Sequence, residues 1–164
     1  MQFTLIDRIT EVKPGESLVA FKALSMAEEY LRDHFPRFPV MPGVMMLESL
    51  FQASRWLVWC TDDFQHPAIR LAETRNVKYT DFVEPGRVLE ITTEIIKREG
   101  DATTIKAQGS LDGNPAVSAR LVVARVNYAE LHSGADATAP YMRRRLREVF
   151  QLLYRPTPAR VSAS

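Results

Sequence analysis

Two residues in the N-terminal third of the chain have side chains suited to acid–base chemistry. His34 begins a segment stiffened by prolines at positions 36, 39 and 42, so its ring could be held in one place. Glu48 follows fourteen residues later inside an apolar run, and Gln52 lies one helical turn beyond it on the same face. Burial raises the pKa of a carboxyl group towards the range of a general acid. Both side chains are therefore candidates for acid–base chemistry.

Each of these residues also has a plain structural interpretation. Taken alone, His34 is more often a packed or exposed histidine, and Glu48 is more often a surface carboxylate. Pro42-Gly43 is a common way to begin a helix. The first amides of a helix are unpaired and lie at the positive end of its dipole, where an acyl oxygen could be polarised. Taken one at a time, these residues favour the structural interpretation.

The elements that would position these residues follow from apolar spacing and turn residues. Residues 44–60 lack Pro and Gly and are apolar all round, which predicts a nearly fully buried helix. A shorter helix is predicted from Ser25 to Arg32, because Glu28 stands at the capping-box position. Strands are predicted at residues 3–12, 17–24, 69–79, 87–98, 102–111 and 116–128. A long antiparallel sheet around one buried helix is an α+β architecture.

The composition bounds the class of protein. The chain has 164 residues, of which 46% are hydrophobic and 25% charged, and its net charge is +1. This balance excludes wholesale disorder and does not indicate nucleic-acid binding. Cys60 is the single cysteine, and we interpret it as a small core residue rather than a nucleophile. No apolar run approaches the about 18 residues of a membrane span, and the N-terminus lacks signal-peptide features, so we expect a cytoplasmic protein.

The C-terminal residues differ in charge from the rest. Residues 131–164 contain six arginines but only Asp136 and Glu148 as acidic residues. We therefore divide the chain into a domain at residues 1–130 and a linker with a basic amphipathic helix at residues 131–164. Pro140 suits the start of that helix, and its apolar stripe consists of Met142, Leu146, Val149, Phe150 and Leu153. We expect the helix to dock on its own body or a neighbouring subunit, rather than on a carrier protein or a membrane, and residues 156–164 to be disordered.

The stretch from His34 to Gln52 resembles the beta-hydroxyacyl-acyl carrier protein dehydratases of fatty-acid synthesis. The shared pattern is His-Phe-Pro-x-x-Pro-Val-Met-Pro-Gly-Val, followed by Glu four residues later and Gln after four more. A weaker resemblance continues through residues 77–86 and 109–113, so that it covers about residues 1–129. The resemblance implies the hotdog fold, in which an antiparallel sheet wraps around a central helix. It also implies a homodimer or a trimer of dimers.

The resemblance implies a role for each residue of the motif. His34 of one subunit removes the proton alpha to the thioester, and Glu48 of the other helps the beta-hydroxyl group to leave as water. The Gly43 amide binds the thioester carbonyl, the Val40 carbonyl orients His34, and Gln52 supports Glu48. No metal or other cofactor is implied. The implied partner is acyl carrier protein with a phosphopantetheine-linked acyl chain.

Two alternatives and one departure from the family pattern stay open at this stage. A hotdog acyl thioesterase would direct water at the carbonyl with a carboxylate, and an acyl-carrier binding subunit would keep the fold without the activity. Because both His34 and Glu48 are present, we favour the dehydratase. Arg55 follows seven residues after Glu48 and near the same face. It could lower the pKa of Glu48, narrow the acyl tunnel or reach solvent, and we expect the last.

Overall fold

Six strands and two α-helices make up the part of the chain that this computed structural model describes, residues 3–127 and 138–157. In chain order they are β1 (Arg8–Lys13), β2 (Ser17–Ala23), α1 (Gly43–Thr61), β3 (Ile69–Tyr79), β4 (Val88–Glu99), β5 (Ala102–Leu111), β6 (Asn114–Arg125) and α2 (Ala139–Leu153). The strands form one antiparallel sheet in the order β1-β2-β4-β5-β6-β3. This sheet around a central helix, with a C-terminal helix, confirms the predicted fold class.

Tight turns fix the register of the sheet where the sequence placed them. Between β1 and β2, the Glu16 amide donates to the Lys13 carbonyl over 2.9 Å, and Gly15 has a φ of +81°. Between β5 and β6, Asp112 and Gly113 have φ of +50° and +83°. Two consecutive residues with positive φ form the hairpin turn whose twist matches that of the strands. This turn therefore determines which residues of β5 and β6 face each other.

The core lies between the sheet and one side of α1. Leu50, Ala53 and Leu57 of the helix are fully buried, and they face apolar side chains of the sheet. The fully buried sheet residues include Leu18, Leu89, Ile91, Ile105 and Leu121. The prediction of a nearly fully buried helix is confirmed from Ser49 to Trp59, where every residue except Arg55 is buried. The start of the helix is the exception, since Val44 is 71% exposed.

The helix predicted from Ser25 to Arg32 is also wrong. This segment forms a turn and a single 3-10 turn at Glu29–Leu31. Ser25 Oγ accepts a hydrogen bond from the Ala27 amide over 3.1 Å, but the carboxylate of Glu28 does not complete a capping box. It pairs instead with Nζ of Lys22 at 2.6 Å. The buried amine of β2 thus competes successfully for the side chain that would have closed the helix.

The C-terminal helix docks on the body of its own chain. Its apolar residues Leu146, Val149, Phe150 and Leu153 pack against the core. The Phe150 ring lies 6.1 Å from that of Trp56 and 5.9 Å from that of Phe64. Aromatic pairs at these distances add to the free energy of apolar burial. Neither helix in the described part of the chain is long and apolar enough to cross a membrane.

The segment after α2 covers the outer edge of β1. The Arg155 amide donates to the Ile9 carbonyl over 2.8 Å, and Tyr154 forms a parallel bridge with Ile9. An edge strand that is paired in this way is protected from pairing with another chain. Residues 128–137 and 158–164 lie outside the described residues, so the predicted linker, the domain boundary at residue 130 and the disorder of the C-terminal end stay predictions.

Candidate active site

The carboxylate of Glu48 is held by an amide one turn along α1. Gln52 Nε2 donates to Glu48 Oε1 over 2.9 Å and to the Phe3 carbonyl over 2.8 Å. Gln52 Oε1 accepts a hydrogen bond of 2.9 Å from the Leu5 amide. The buried amide group therefore uses both donors and its acceptor within one chain. Glu48 is half-buried one helical turn after exposed Val44, and no hydrogen bond to its second oxygen is found among the described residues.

His34 lies in the irregular segment before α1. Its ring is half-buried and contacts the Phe35 ring edge-on, with ring centres 4.5 Å apart. The segment is tied to the body by the Met41 amide, which donates to the Val83 carbonyl over 2.8 Å. Phe35 itself has a φ of +49°, a strained conformation for a non-glycine residue. The backbone is therefore strained beside His34 and tied to the body at Met41, while the fixing of the His34 ring itself stays a prediction.

The start of α1 presents free amide groups near Tyr79. The Gly43 amide donates to no backbone group among the described residues, whereas the Met45 and Met46 amides both reach the Pro42 carbonyl. A Cβ atom at position 43 would lie 3.1 Å from Cε1 of Tyr79, so glycine allows the ring to approach the helix start closely. Partial burial raises the pKa of the Tyr79 hydroxyl. The Gly43 amide, which could polarise an acyl oxygen, therefore lies beside the Tyr79 ring.

The structure brings only some of the predicted site residues together within the described chain. Glu48 and Gln52 are joined by a hydrogen bond. Val40 is buried directly before the helix start at Gly43. No hydrogen bond or ion pair within residues 3–127 and 138–157 connects His34 to Glu48 or to the Val40 carbonyl. The roles of these five residues stay predictions.

Arg55 does not reach out into solvent as expected. Its guanidinium carbon lies 4.9 Å from the centre of the Phe51 ring and 5.3 Å from that of Trp59. Nε is buried without a hydrogen-bond partner. Burial lowers the pKa of Arg55, and the negative charge of Glu48 opposes part of this effect. The planar cation stacks on aromatic faces more favourably than it extends into water, which explains the wrong prediction.

Lys22 is a buried charge that the sequence analysis missed. It is 3% exposed, and its amine lies 2.6 Å from Glu28 and 3.6 Å from Asp7. Burial, Glu28 and Asp7 together raise the pKa of the neighbouring Tyr30 hydroxyl. The signal was present in the strict alternation of β2, which turns position 22 inward with Leu18. The ion pair anchors the 3-10 turn that leads into His34.

Comparison with known proteins identifies the family of the chain. The FabA-like domain family matches residues 1–120. The 3-hydroxyacyl-[acyl-carrier-protein] dehydratase FabZ of Levilactobacillus brevis is 37% identical over 116 residues, which cover 71% of this chain and 78% of that protein. FabZ of Clostridium novyi is 34% identical over 122 residues, covering 74% of this chain and 86% of the relative.

Solved structures agree with the fold. The dehydratase heterocomplex ApeI:P from Xenorhabdus doucetiae superposes with a TM-score of 0.66 at 20% identity, covering 78% of this chain and 86% of that one. A hypothetical thioesterase from Streptococcus pneumoniae in complex with coenzyme A superposes with a TM-score of 0.55 at 12% identity, covering 71% and 86%. Such identities show a shared fold and no more. On the sequence matches, this chain belongs to the FabA-like family of hotdog-fold 3-hydroxyacyl-acyl carrier protein dehydratases.

Proposed function

We propose that this chain dehydrates (3R)-3-hydroxyacyl thioesters of acyl carrier protein to trans-2-enoyl thioesters and water. Similarity to the FabZ dehydratases over most of the chain supports the reaction class. The observation that carries the assignment to particular residues is the hydrogen bond from Gln52 to Glu48. It holds a half-buried carboxylate one turn after exposed Val44 and fourteen residues after a histidine in an anchored segment. We keep the cytoplasmic location as a prediction from the sequence.

In the proposed reaction the two side chains act on adjacent carbon atoms. The imidazole of His34 accepts the proton of C2, and the electron pair of that C–H bond forms the C2–C3 double bond. At the same time the C3–O bond breaks, and its electron pair stays with the oxygen. Protonated Glu48 gives its proton to this departing hydroxyl group, which leaves as water. His34 is then protonated and Glu48 is charged. Proton transfer through solvent from the imidazolium to the carboxylate restores both groups.

The Gly43 amide lowers the barrier to removal of the C2 proton. As that proton leaves, and before the C3–O bond has fully broken, negative charge develops on the thioester oxygen, and a free amide at a helix start is suited to stabilise it. The Val40 carbonyl is proposed to accept a hydrogen bond from the one N–H group of neutral His34, which leaves the other ring nitrogen bare to face C2. Gln52 is a positioning residue. Since its amide is bound to both the Phe3 carbonyl and the Leu5 amide, Glu48 Oε1 has a fixed donor.

We propose that each site is completed by a second copy of the chain, with His34 from one subunit and Glu48 from the other. The exposed start of α1 and the outer edge of β3 support this assembly. Val44 is largely exposed in the first turn of α1, and β3 pairs only with β6 among the described residues. Exposed apolar positions and an unpaired strand edge are features that subunit association buries. A dimer or a trimer of dimers satisfies this requirement.

The experiment that tests the function offers the purified protein a 3-hydroxyacyl pantetheine thioester and, separately, the matching enoyl thioester. We expect reversible interconversion, followed by the ultraviolet absorbance of the conjugated enoyl thioester. Release of free thiol with no enoyl product would identify a thioesterase instead. Binding of both thioesters without turnover would identify a carrier-binding subunit. Either outcome contradicts the proposal.

A further inference from the structure

Arg55 carries a positive charge that forms no ion pair or hydrogen bond among the described residues, although the charge of Glu48 acts on it from a distance. Its Nε is buried without a hydrogen-bond partner. The rings of Phe51 and Trp59 hold it on one side, so it cannot swing away into water without losing both contacts. A half-buried cation without a partner is costly, and an anion that reaches it is bound favourably.

Arg55 lies in line with Glu48 along α1. Seven residues are two helical turns, which places the two side chains within about 20° around the axis and about 10 Å apart along it. Val44 and Phe51 lie on the same side of the helix. From Glu48, this side of the helix leads in one direction to exposed Val44 and in the other to the buried rings of Phe51 and Trp59, which flank the guanidinium. An acyl chain is better shielded from water in the second direction.

Resting on the proposed dehydration, we propose that Arg55 is a specificity-determining residue that binds a carboxylate at the far end of the acyl chain. The preferred substrates are then 3-hydroxyacyl thioesters that end in a carboxylate rather than in a methyl group. A spacing of about 10 Å corresponds to about eight C–C bonds beyond C3 in an extended chain. The methylene groups would lie against Phe51 and Trp59, and the guanidinium would hold both oxygens of the terminal group.

A hydrocarbon terminus fits this environment less well. A terminal methyl group would bury the guanidinium further and would not replace the hydrogen bonds that it makes to water. Sites built to hydrogen-bond a polar group discriminate strongly against analogues that lack it, because their own polar atoms are then left unpaired. The same reasoning predicts that chains too short to reach Arg55 are neither selected nor rejected by it.

The test compares two pantetheine thioesters of equal length with about twelve carbons, one ending in a carboxylate and one in a methyl group. We expect kcat/KM of the wild-type protein to be at least about tenfold higher for the carboxylate. Arg55→Met should lose about tenfold or more on that substrate and nothing on the methyl-terminated one. Arg144→Met removes an exposed charge from α2 and serves as the matched control, with an unchanged ratio.

Two results would overturn the inference. One is a ratio near one in the wild-type protein, which does not depend on how any variant folds. The other is a ratio that Arg55→Met leaves unaltered in a protein whose thermal unfolding is normal. A short 3-hydroxybutyryl thioester separates this failure from that of the proposed function. If the short substrate is dehydrated, the reaction stands and only the role of Arg55 falls; if no thioester is dehydrated, the proposed function falls as well.

Discussion

Gln52 donates to Glu48 over 2.9 Å while its own oxygen accepts from the Leu5 amide over 2.9 Å, so one side chain links the acidic residue to the N-terminal segment. The same amide nitrogen also reaches the Phe3 carbonyl. These contacts connect residues 47 and 49 positions apart in sequence. The orientation of Glu48 therefore depends on the folded position of the residues before β1, and not on α1 alone.

Replacing Gln52 by Leu should impair both stability and catalysis. The substitution leaves the Leu5 amide and the Phe3 carbonyl without partners, which costs about 1–3 kcal/mol each when such groups are buried. It also frees Glu48 to rotate, so we expect kcat to fall about tenfold or more while KM changes little. Thermal unfolding and steady-state kinetics measure the two effects. Gln65→Leu, at an exposed glutamine, should show neither; an unchanged kcat for Gln52→Leu would exclude the positioning role.

Replacing Lys22 by Met should destabilise the protein by about 1–3 kcal/mol, because a charged hydrogen bond to partly buried Glu28 is lost. The double variant Lys22→Met, Glu28→Gln should recover part of this loss, since the uncompensated carboxylate is then removed. Chemical denaturation of the four proteins of this cycle measures the coupling. Strictly additive losses would show that the two side chains do not stabilise one another.

The thiol of Cys60 should react slowly in the folded protein. Burial raises its pKa from 9.0 to about 12, so the thiol holds its proton at pH 8 and little thiolate is present. Only the thiolate is nucleophilic, and the expected rate of alkylation by iodoacetamide at pH 8 is at least about a hundredfold below that of the unfolded chain. Mass spectrometry at timed intervals measures both rates. Equal rates would show that the side chain is accessible and ionisable.

Sequence patterns located most of the fold because turn residues mark where strands begin and end. The predicted limits of β3 and β5 agree with the structure at both ends, and Asp112-Gly113 marks the start of β6. Sequence patterns gave the wrong prediction where a group from elsewhere in the chain contacts the side chain. Glu28 has the spacing of a capping box, but a lysine on β2 binds it instead. Arg55 has the charge of a typical surface residue, but two aromatic rings hold it half-buried.

The candidate site was predictable in its parts and not in its connections. The position of Glu48 and Gln52 on one face follows from helical spacing, and their hydrogen bond follows from that. Attachment of Gln52 to the N-terminal backbone does not follow, because such tertiary contacts leave no local trace in the sequence. The apolar stripe of α2 predicted docking, but the stripe could not identify Trp56 and Phe64 as the surface that receives it.

Replacing Phe150 by Ala should lower the melting temperature more than any change on the outer face of α2. The ring packs against Trp56 and Phe64 and stacks on Tyr154 at 5.2 Å, and its loss should cost about 2–3 kcal/mol. Turnover of a small pantetheine substrate should change little, because α2 contacts α1 at Trp56, about two helical turns beyond Glu48. Tyr141→Ala, at an exposed aromatic of the same helix, is the control. Equal melting temperatures for the two variants would contradict docking.

The single variants His34→Ala and Glu48→Gln should each remove most of the dehydration rate. General acid–base groups contribute about 10²–10⁴-fold, and each variant removes one of the two proposed proton-transfer groups. Circular dichroism and sedimentation verify that fold and assembly are kept. Near-normal turnover of either variant would show that its residue does not take part in the reaction.

The dehydration rate of mixed subunits tests the shared His34–Glu48 site most directly. His34→Ala and Glu48→Gln proteins are unfolded together, refolded and assayed, with subunit exchange confirmed by native mass spectrometry. In random dimers half of the molecules contain one chain of each kind, and one of their two sites receives both intact residues. We expect the mixture to recover up to about one quarter of the wild-type rate, far above either variant alone. No recovery despite confirmed exchange would contradict a site built from two subunits.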